Sequence, residues 1–128
     1  MQLLFDTHAF LWWLGGDEAL SAAAKSAISD ERNGLFISAA SAWEIATKHR
    51  IGKLSGVAAI VADLEGAIVD QGFVGLPIGL RHGQIAGALA GPHRDPIDRM
   101  LIAQAMLENL VLASNEQSFD ADRVARLW

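Results

Sequence analysis

The sequence contains no cysteine and no tyrosine, and it has only three prolines among its 128 residues. The absence of cysteine excludes both a disulfide framework and a thiolate zinc site, and it is compatible with a reducing cytosol. A metal site built from oxygen ligands remains available, because carboxylates, amides and water are sufficient for it.

Long apolar runs are also missing. The longest stretch without Asp, Glu, Lys or Arg is residues 82–93, which is short of the ~20 apolar residues that a membrane span requires. The first residues, MQLLFD, lack the basic region and the apolar core of a signal peptide. We therefore expect a soluble, cytoplasmic protein with no membrane segment.

A positive overall charge is the third absence, since 15 acidic residues outnumber 10 lysines and arginines and give a net charge of −5. A field from the whole molecule that attracts nucleic acid is therefore excluded. With 52% hydrophobic residues the chain also falls outside the composition of disordered proteins. Its length is typical of one domain with one core, which we place at residues 1–128.

Short apolar runs alternate with segments of helical length along the chain. The predicted strands are Gln2–Phe5, Leu35–Ile37, Phe73–Ile78, Val111–Ala113 and a weaker Val124–Leu127. The predicted helices are His8–Leu14, Ser21–Ser29, Ser41–Arg50, Val57–Gln71, Leu80–Ala90 and Pro96–Asn109. This alternation favours an α/β fold, with a parallel sheet covered by helices on both faces.

Four acidic residues fall where such a fold gathers its ligands, beyond the carboxyl ends of the strands. Asp6 follows the first strand, Glu44 lies in the helix after the second, Asp98 opens the sixth helix and Glu116 follows the fourth strand. Carboxylates that converge in this way repel each other, and a divalent cation removes that cost. Oxygen ligands without Cys or paired His indicate Mg²⁺ or Mn²⁺.

Each of these acids also has a purely structural interpretation. Ser41 and Glu44 have the spacing of a capping box, and Asp95 has the position of an N-cap that places Asp98 in the first turn. Asp6 could cap the first helix in the same way. The structural and functional interpretations are compatible, because the positive end of a helix keeps a carboxylate ionised, as a metal ligand must be.

Five ordered segments carry a resemblance to a known family. The segments FDTHAFLWWL, SAASAWEIATKHRIGKL, LPIGLRHGQIA, HRDPIDRMLIAQA and SNEQSFD together resemble the PIN-domain ribonucleases, specifically the VapC-type toxins of bacterial toxin–antitoxin pairs. The resemblance extends from Leu3 to about Trp128. It implies a five-stranded parallel sheet between helices, Mg²⁺ or Mn²⁺ bound by acids at its carboxyl edge, and endonucleolytic cutting of single-stranded RNA. Asp6, Glu44 and Asp98 fall on the metal-binding acids of the family.

The fourth acidic place departs from the family pattern. Many PIN domains have Thr-x-Asp followed three residues later by Phe, whereas the segment SNEQSF has Glu116 in place of Asp. Three residues are candidates for this place: Glu116 through its longer side chain, Asn115 through a polar contact, and Asp95, mainly an N-cap, from the opposite side. The hydroxyl of Thr7 is a further candidate for supporting the ligands, or for a local turn.

The chemistry inferred from these residues is hydrolysis of a phosphodiester by a metal-activated water. Asp6 and Asp98 are expected to hold the ion, while Glu44 either completes the shell or orients the water. Because the protein is acidic, the ions and local basic residues must attract the RNA. The candidate RNA contacts are Arg94, Arg99, Arg50 and Lys53. Lys48 is instead a natural i,i+4 partner of Glu44.

The apolar run Ala9–Leu14 cannot direct all its side chains towards one core at helical spacing. One interpretation buries the run between the sheet and neighbouring helices. The other, implied by the resemblance, makes it a groove for a cognate antitoxin or the interface of a homodimer, with Trp12 or Trp13 as an anchor. A second function also stays open, a PIN scaffold that binds RNA or a partner without cutting, and Glu116 in place of Asp favours it.

Overall fold

Five parallel strands form the central sheet of the computed structural model, which describes residues 1–128. The strands are β1 (Gln2–Phe5), β2 (Gly34–Ser38), β3 (Val74–Leu76), β4 (Val111–Ala113) and β5 (Arg126–Leu127). Their order across the sheet is β3-β2-β1-β4-β5, and every neighbouring pair is parallel. The predicted five-stranded parallel sheet is therefore confirmed.

Seven α-helices and one short 3-10 helix connect and cover the strands. They are α1 (Thr7–Gly15), α2 (Ala22–Ser29), α3 (Ala39–Arg50), α4 (Ala58–Ala62), α5 (Leu64–Asp70), α6 (Leu80–Ala88), α7 (Pro96–Glu108) and the 3-10 helix Gln117–Ala121. No helix combines the length and the apolar character needed to cross a membrane. The alternation of strands and helices gives the α/β fold that the sequence predicts.

The single helix predicted over Val57–Gln71 is wrong. The backbone leaves the helical conformation at Asp63, where φ is −146°, and this residue ends α4 and begins α5. The Asp63 carboxylate accepts a hydrogen bond from the Gly66 N–H at 3.0 Å. The side chain of an N-cap thus competes successfully with helix continuation. The two outer strands, β3 and β5, are also shorter than predicted.

The core lies on both faces of the sheet, which explains why β1 is apolar at consecutive positions. On one face Phe5 and Phe10 pack edge-on against Phe73, with ring centroids 5.3 and 5.2 Å apart. On the other face Leu4 packs with Ile102 of α7, in the second buried cluster. The apolar run of α1 is buried at its start and half-buried from Leu11 to Leu14.

The chain changes direction across the sheet at β1, which lies between β2 and β4. The N–H of Asp6 donates to the carbonyl of Ala113 at 3.1 Å, so a hydrogen bond joins the first residue after β1 to the last residue of β4. A crevice forms at such a switch point because the connections leave in opposite directions. Asp6 and Ser114 therefore come together at the carboxyl edge of the sheet.

Candidate metal centre

A small cavity of about 70 Å³ opens at the carboxyl edge of the sheet. Ten residues line it, and five of these are acidic. The lining comprises Asp6, Thr7, His8, Glu44, Lys48, Asp95, Ile97, Asp98, Leu101 and Glu116. The fold thus brings together all four of the acids singled out in the sequence, although they come from segments far apart along the chain.

Asp6 is held at the end of β1 by the start of α1. It is the N-cap of that helix, and its carboxylate accepts a hydrogen bond from the Ala9 N–H at 2.8 Å. The residue is only 5% exposed. Burial raises the pKa of Asp6, and hydrogen bonds from the Ser114 hydroxyl and the Ala9 N–H oppose this rise. Asp6 is therefore a fixed and largely dehydrated carboxylate.

Glu44 does not lie in the first helical turn, and the predicted capping box is wrong. Helix α3 begins directly after β2 with Ser38 as its N-cap, whose hydroxyl accepts from the Ala40 N–H at 3.0 Å. Ser41 is buried inside the helix, where its hydroxyl accepts a hydrogen bond from Thr7 at 3.0 Å. This contact gives Thr7 a structural role that ties the starts of α1 and α3 together beside the cavity.

The Glu44 carboxylate pairs with Lys48 one turn along α3. Their side chains approach to 3.2 Å, as the i,i+4 spacing predicts. Lys48 also lines the acidic cavity, and it is the only Lys or Arg that does so. The cavity therefore contains one cation of its own, which offsets part of the repulsion between Glu44 and the other carboxylates.

Helix α7 begins as the sequence predicts. Asp95 is its N-cap and accepts from the Ile97 N–H at 2.8 Å, Pro96 occupies the first turn, and Asp98 follows in the same turn. Burial raises the pKa of Asp98 to about 7, and the negative charges of Glu116, Asp95 and Glu44 contribute to the rise. The shift indicates that negative charge is concentrated around a half-buried carboxyl.

Of the two neighbouring candidates for the fourth acidic place, the structure brings Glu116 into the cavity and leaves Asn115 outside it. Glu116 is half-buried and lines the cavity, whereas Asn115 is exposed and is absent from the lining. The hydroxyl of Ser114 accepts from the Glu116 N–H at 3.0 Å and fixes the turn after β4. The turn thus places the Glu116 side chain in the lining of the cavity.

Arg99 has a structural role in this fold, and its predicted contact with RNA stays a prediction. Its guanidinium donates four hydrogen bonds of 2.6–3.3 Å to backbone carbonyls in and after α6. The acceptors are the carbonyls of Ala86, Gly87, Leu89 and His93. Four of the five guanidinium N–H groups are thereby committed. Arg94, Arg50 and Lys53 are exposed, but none of them lines the acidic cavity.

A buried contact between a histidine and a carboxylate, which the sequence did not predict, supports the same loop. His93 Nε2 lies 2.6 Å from Asp122 Oδ2, and both side chains are less than 9% exposed. The His93 ring also stacks on Phe119, with centroids 5.4 Å apart. These contacts join the loop that carries Asp95 to the 3-10 helix that follows Glu116. The two partners are 29 residues apart, so no local pattern could have paired them.

The chemistry of the cavity fits a hard divalent cation. Its donors are carboxylate oxygens, without any thiolate, and the charges of Glu116, Asp95 and Glu44 contribute to the raised pKa of Asp98, a cost that a cation relieves. In this structure, however, no group of three or more His, Cys, Asp or Glu side chains lies in an arrangement that could hold a metal ion. The pairing of Glu44 with Lys48 agrees with this result.

The structural and functional contributions of Asp95 can be separated by two substitutions. Asp95→Ala removes the cap, and we expect it to unfold about 1 kcal/mol more easily than Asp95→Asn, which keeps a capping oxygen. Both substitutions remove a charge that raises the pKa of Asp98, so both should lower that pKa. Thermal unfolding and a carboxyl NMR titration would measure the two effects. Equal stability of the two variants would contradict the capping role.

Together, the parallel α/β fold and its acid-lined crevice define a protein with a candidate site for a hard cation. The PIN domain family matches residues 3–126. Since the match covers nearly the whole chain, the protein belongs to the PIN domain family. A comparison with curated proteins finds no match.

Solved structures with the same fold extend over nearly the same length. The VapBC2 complex from Rickettsia felis, bound to a DNA fragment from its promoter, has a TM-score of 0.74 at 13% identity, covering 99% of this chain and 98% of that chain. A toxin–antitoxin complex from Klebsiella pneumoniae has a TM-score of 0.63 at 18% sequence identity. FitAcB from Neisseria gonorrhoeae has a TM-score of 0.62 at 19% sequence identity. Each of these two matches covers 98% of this chain and 96% of the other chain. At these identities the similarity concerns the fold.

Proposed function

We propose that this protein is a metal-dependent endoribonuclease toxin of the VapC type, which hydrolyses phosphodiester bonds in RNA in the cytoplasm and is neutralised by a cognate antitoxin. The observation that carries the proposal is the convergence of Asp6, Glu44, Asp98 and Glu116 on one cavity at the switch point of a PIN domain. Such a cluster of carboxylates costs folding energy, and a cation-dependent activity accounts for it.

Each acid has a distinct part in the proposed chemistry. Asp6 and Asp98 would hold Mg²⁺ or Mn²⁺, because both are anchored at the starts of helices. When bound, the cation neutralises charge on the phosphoryl oxygens and lowers the pKa of a water. Glu44 and Glu116, on longer side chains, would orient that water or complete the ligand set. Lys48 lines the same cavity, where its ammonium can contact a phosphate oxygen.

The antitoxin is proposed to cover a second, apolar groove. This groove of about 350 Å³ lies beside α1 and is lined by residues that include Leu11, Trp12, Leu14, Leu54 and Ile60. Trp12 is half-buried and packs at 5.8 Å from Trp128, so its ring is held as a rigid anchor. Three solved structures with this fold are VapBC2, FitAcB and a toxin–antitoxin complex, which supports the antitoxin. The homodimer stays a prediction.

The test is 5′-end mapping of total cellular RNA after incubation with the purified protein in Mn²⁺, Mg²⁺ or EDTA. We expect discrete new ends that require the metal and that disappear with Asp6→Asn. Asparagine retains a capping oxygen for the Ala9 N–H, so the helix start is preserved while the carboxylate charge is lost. The matched control is Asp63→Asn, which changes the N-cap of α5 outside the cavity.

New ends that persist in EDTA, or that Asp6→Asn leaves unchanged, would contradict the proposed site. No new ends from a folded protein free of antitoxin would instead favour the PIN scaffold that binds without cutting. Circular dichroism of each variant would establish that it is folded before its activity is compared.

A further inference from the structure

A second pocket, of about 280 Å³ and separate from the apolar groove beside α1, adjoins the acidic cavity. The two share Glu44, Lys48 and Ile97 in their linings, so they form one continuous depression across α3 and the start of α7. The remaining lining residues of the second pocket are Trp43, Thr47, Ile51, Lys53 and Pro96. A ligand that enters the acidic cavity from this side must pass through the second pocket.

The indole of Trp43 is the dominant apolar surface of this pocket. Trp43 is 66% exposed, whereas the other three tryptophans are all half-buried. It directly precedes Glu44, and Ile51 from the end of α3, also exposed, continues the apolar surface. A large planar ring left in water beside a charged cavity is suited to stacking against a planar ligand.

The charge of the pocket selects between planar ligands. Lys48, Lys53 and Glu44 line it, and Lys48 pairs with Glu44 at 3.2 Å, so Lys53 supplies the positive charge of the pocket that no carboxylate offsets. Thr47 adds a hydroxyl that can donate or accept a hydrogen bond. A ring in a pocket with the Lys53 ammonium, next to a cavity for a phosphodiester, matches a nucleobase together with its phosphates.

We infer that this pocket binds one base of single-stranded RNA, stacked on Trp43, from a nucleotide adjacent to the phosphodiester in the acidic cavity. This inference rests on the proposed ribonuclease function, which places RNA in that cavity. Lys53 would contact a phosphate of the same segment. Stacking accepts any base, whereas paired bases in a duplex are not available to it. The pocket would thus give the protein a preference for unpaired RNA without reading a sequence.

The test measures binding without cutting, in EDTA, by fluorescence anisotropy with a short labelled single-stranded RNA of mixed sequence. We expect Trp43→Ala to weaken this binding about tenfold, and Trp43→Phe to retain most of the affinity. An abasic ribose-phosphate strand of equal length should bind the wild-type protein and Trp43→Ala equally. Lys53→Gln should reduce the slope of log K against log salt by about 0.7. Leu80→Ala, which truncates another exposed apolar residue outside both pockets, is the control.

Equal RNA binding by the wild-type protein and Trp43→Ala would overturn the inference while leaving the cutting reaction untouched. If RNA binding depends on Trp43 but no metal-dependent cutting is observed, the result would support the base-binding site and contradict the proposed nuclease function. Size-exclusion chromatography adds a third readout: a dimer that dissociates only with Trp43→Ala means that a second copy of the chain covers the ring, which would overturn the inference. A monomer, or a dimer unaffected by the substitution, supports it.

Discussion

Replacing Asp98 by asparagine is expected to stabilise the metal-free protein and to reduce metal-dependent RNA cutting by at least about 100-fold. Loss of activity should exceed the 10–100-fold that is typical when a group supporting a metal ligand is removed, because Asp98 is proposed to bind the ion itself. The expected gain in stability of the metal-free protein has a different cause, the removal of a charge. Asp98 is half-buried among other carboxylates, so its charge opposes folding.

The pH dependence of stability follows from the raised pKa. Burial raises the pKa of Asp98 from its usual 3.8 to about 7 in the folded protein, so between these values the folded state binds more protons than the unfolded state. Stability therefore falls as pH rises from 4 to 7. The full shift corresponds to about 4 kcal/mol. Because Asp98 is only half-buried, solvent screening reduces the expected loss to about 1–2 kcal/mol.

Urea unfolding at pH 5 and pH 8.5, without divalent ions, would measure this loss. The wild-type protein should be less stable at the higher pH, and Asp98→Asn should lack most of the difference. Mn²⁺ at about 100 times its dissociation constant should then stabilise the wild-type protein by about 2.7 kcal/mol and leave the variant nearly unchanged. Asp70→Asn, an exposed residue at the end of α5, controls for the change in net charge. A variant as pH-dependent as the wild type would show that Asp98 is not the responsible group.

Replacing Arg99 by methionine is expected to lower the free energy of unfolding by about 2–4 kcal/mol. The substitution keeps much of the apolar stem but removes all four hydrogen bonds to the carbonyls in and after α6. It should also reduce RNA cutting, since the loop held by Arg99 leads directly into Asp95 and Asp98. Arg99→Lys should recover only part of the stability, because an ammonium lacks the planar fork that reaches several carbonyls at once.

Hydrogen exchange would show where the damage occurs. Amides of residues 87–95 should exchange faster in Arg99→Met, while β1 keeps its protection because its contacts with β2 and β4 are unchanged. A uniform loss of protection over the whole chain would mean that Arg99 supports global stability alone. Full cutting activity in a folded Arg99→Met variant would show that the loop does not position the acids.

The positions of the acids could be predicted because each has a local sequence signal, such as the end of an apolar run or the start of a helix. In a parallel sheet, residues at these positions lie close together. Asp6 ends an apolar run, and Asp95 with Pro96 has the composition of a helix start. Once the strands are parallel, their carboxyl ends meet at one edge of the sheet. This physical rule connects residues far apart in the chain without any knowledge of their contacts.

The start of α3 shows where local signals failed. Ser38 and Ser41 both have acceptable cap chemistry, and Ser41 has Glu44 at the spacing of a capping box. The helix begins at the first serine because β2 extends to Ser38 and no linking residues remain. Similarly, the clamp of Arg99 and the pair of His93 with Asp122 depend on where loops fold back. The sequence around a charged residue such as Arg99 or His93 does not indicate which distant residues it will contact.

The outer strand β3 limits how one edge of this sheet can associate with other chains. It pairs only with β2, is three residues long, contains Gly75 at its centre and is followed directly by Pro77, which has no N–H to donate. A foreign strand laid along this edge would gain few main-chain hydrogen bonds before the proline interrupted them. Growth of the sheet into a fibril is thereby discouraged even at high concentration. At this edge of the sheet, stable complexes should consequently form through helix faces and side chains.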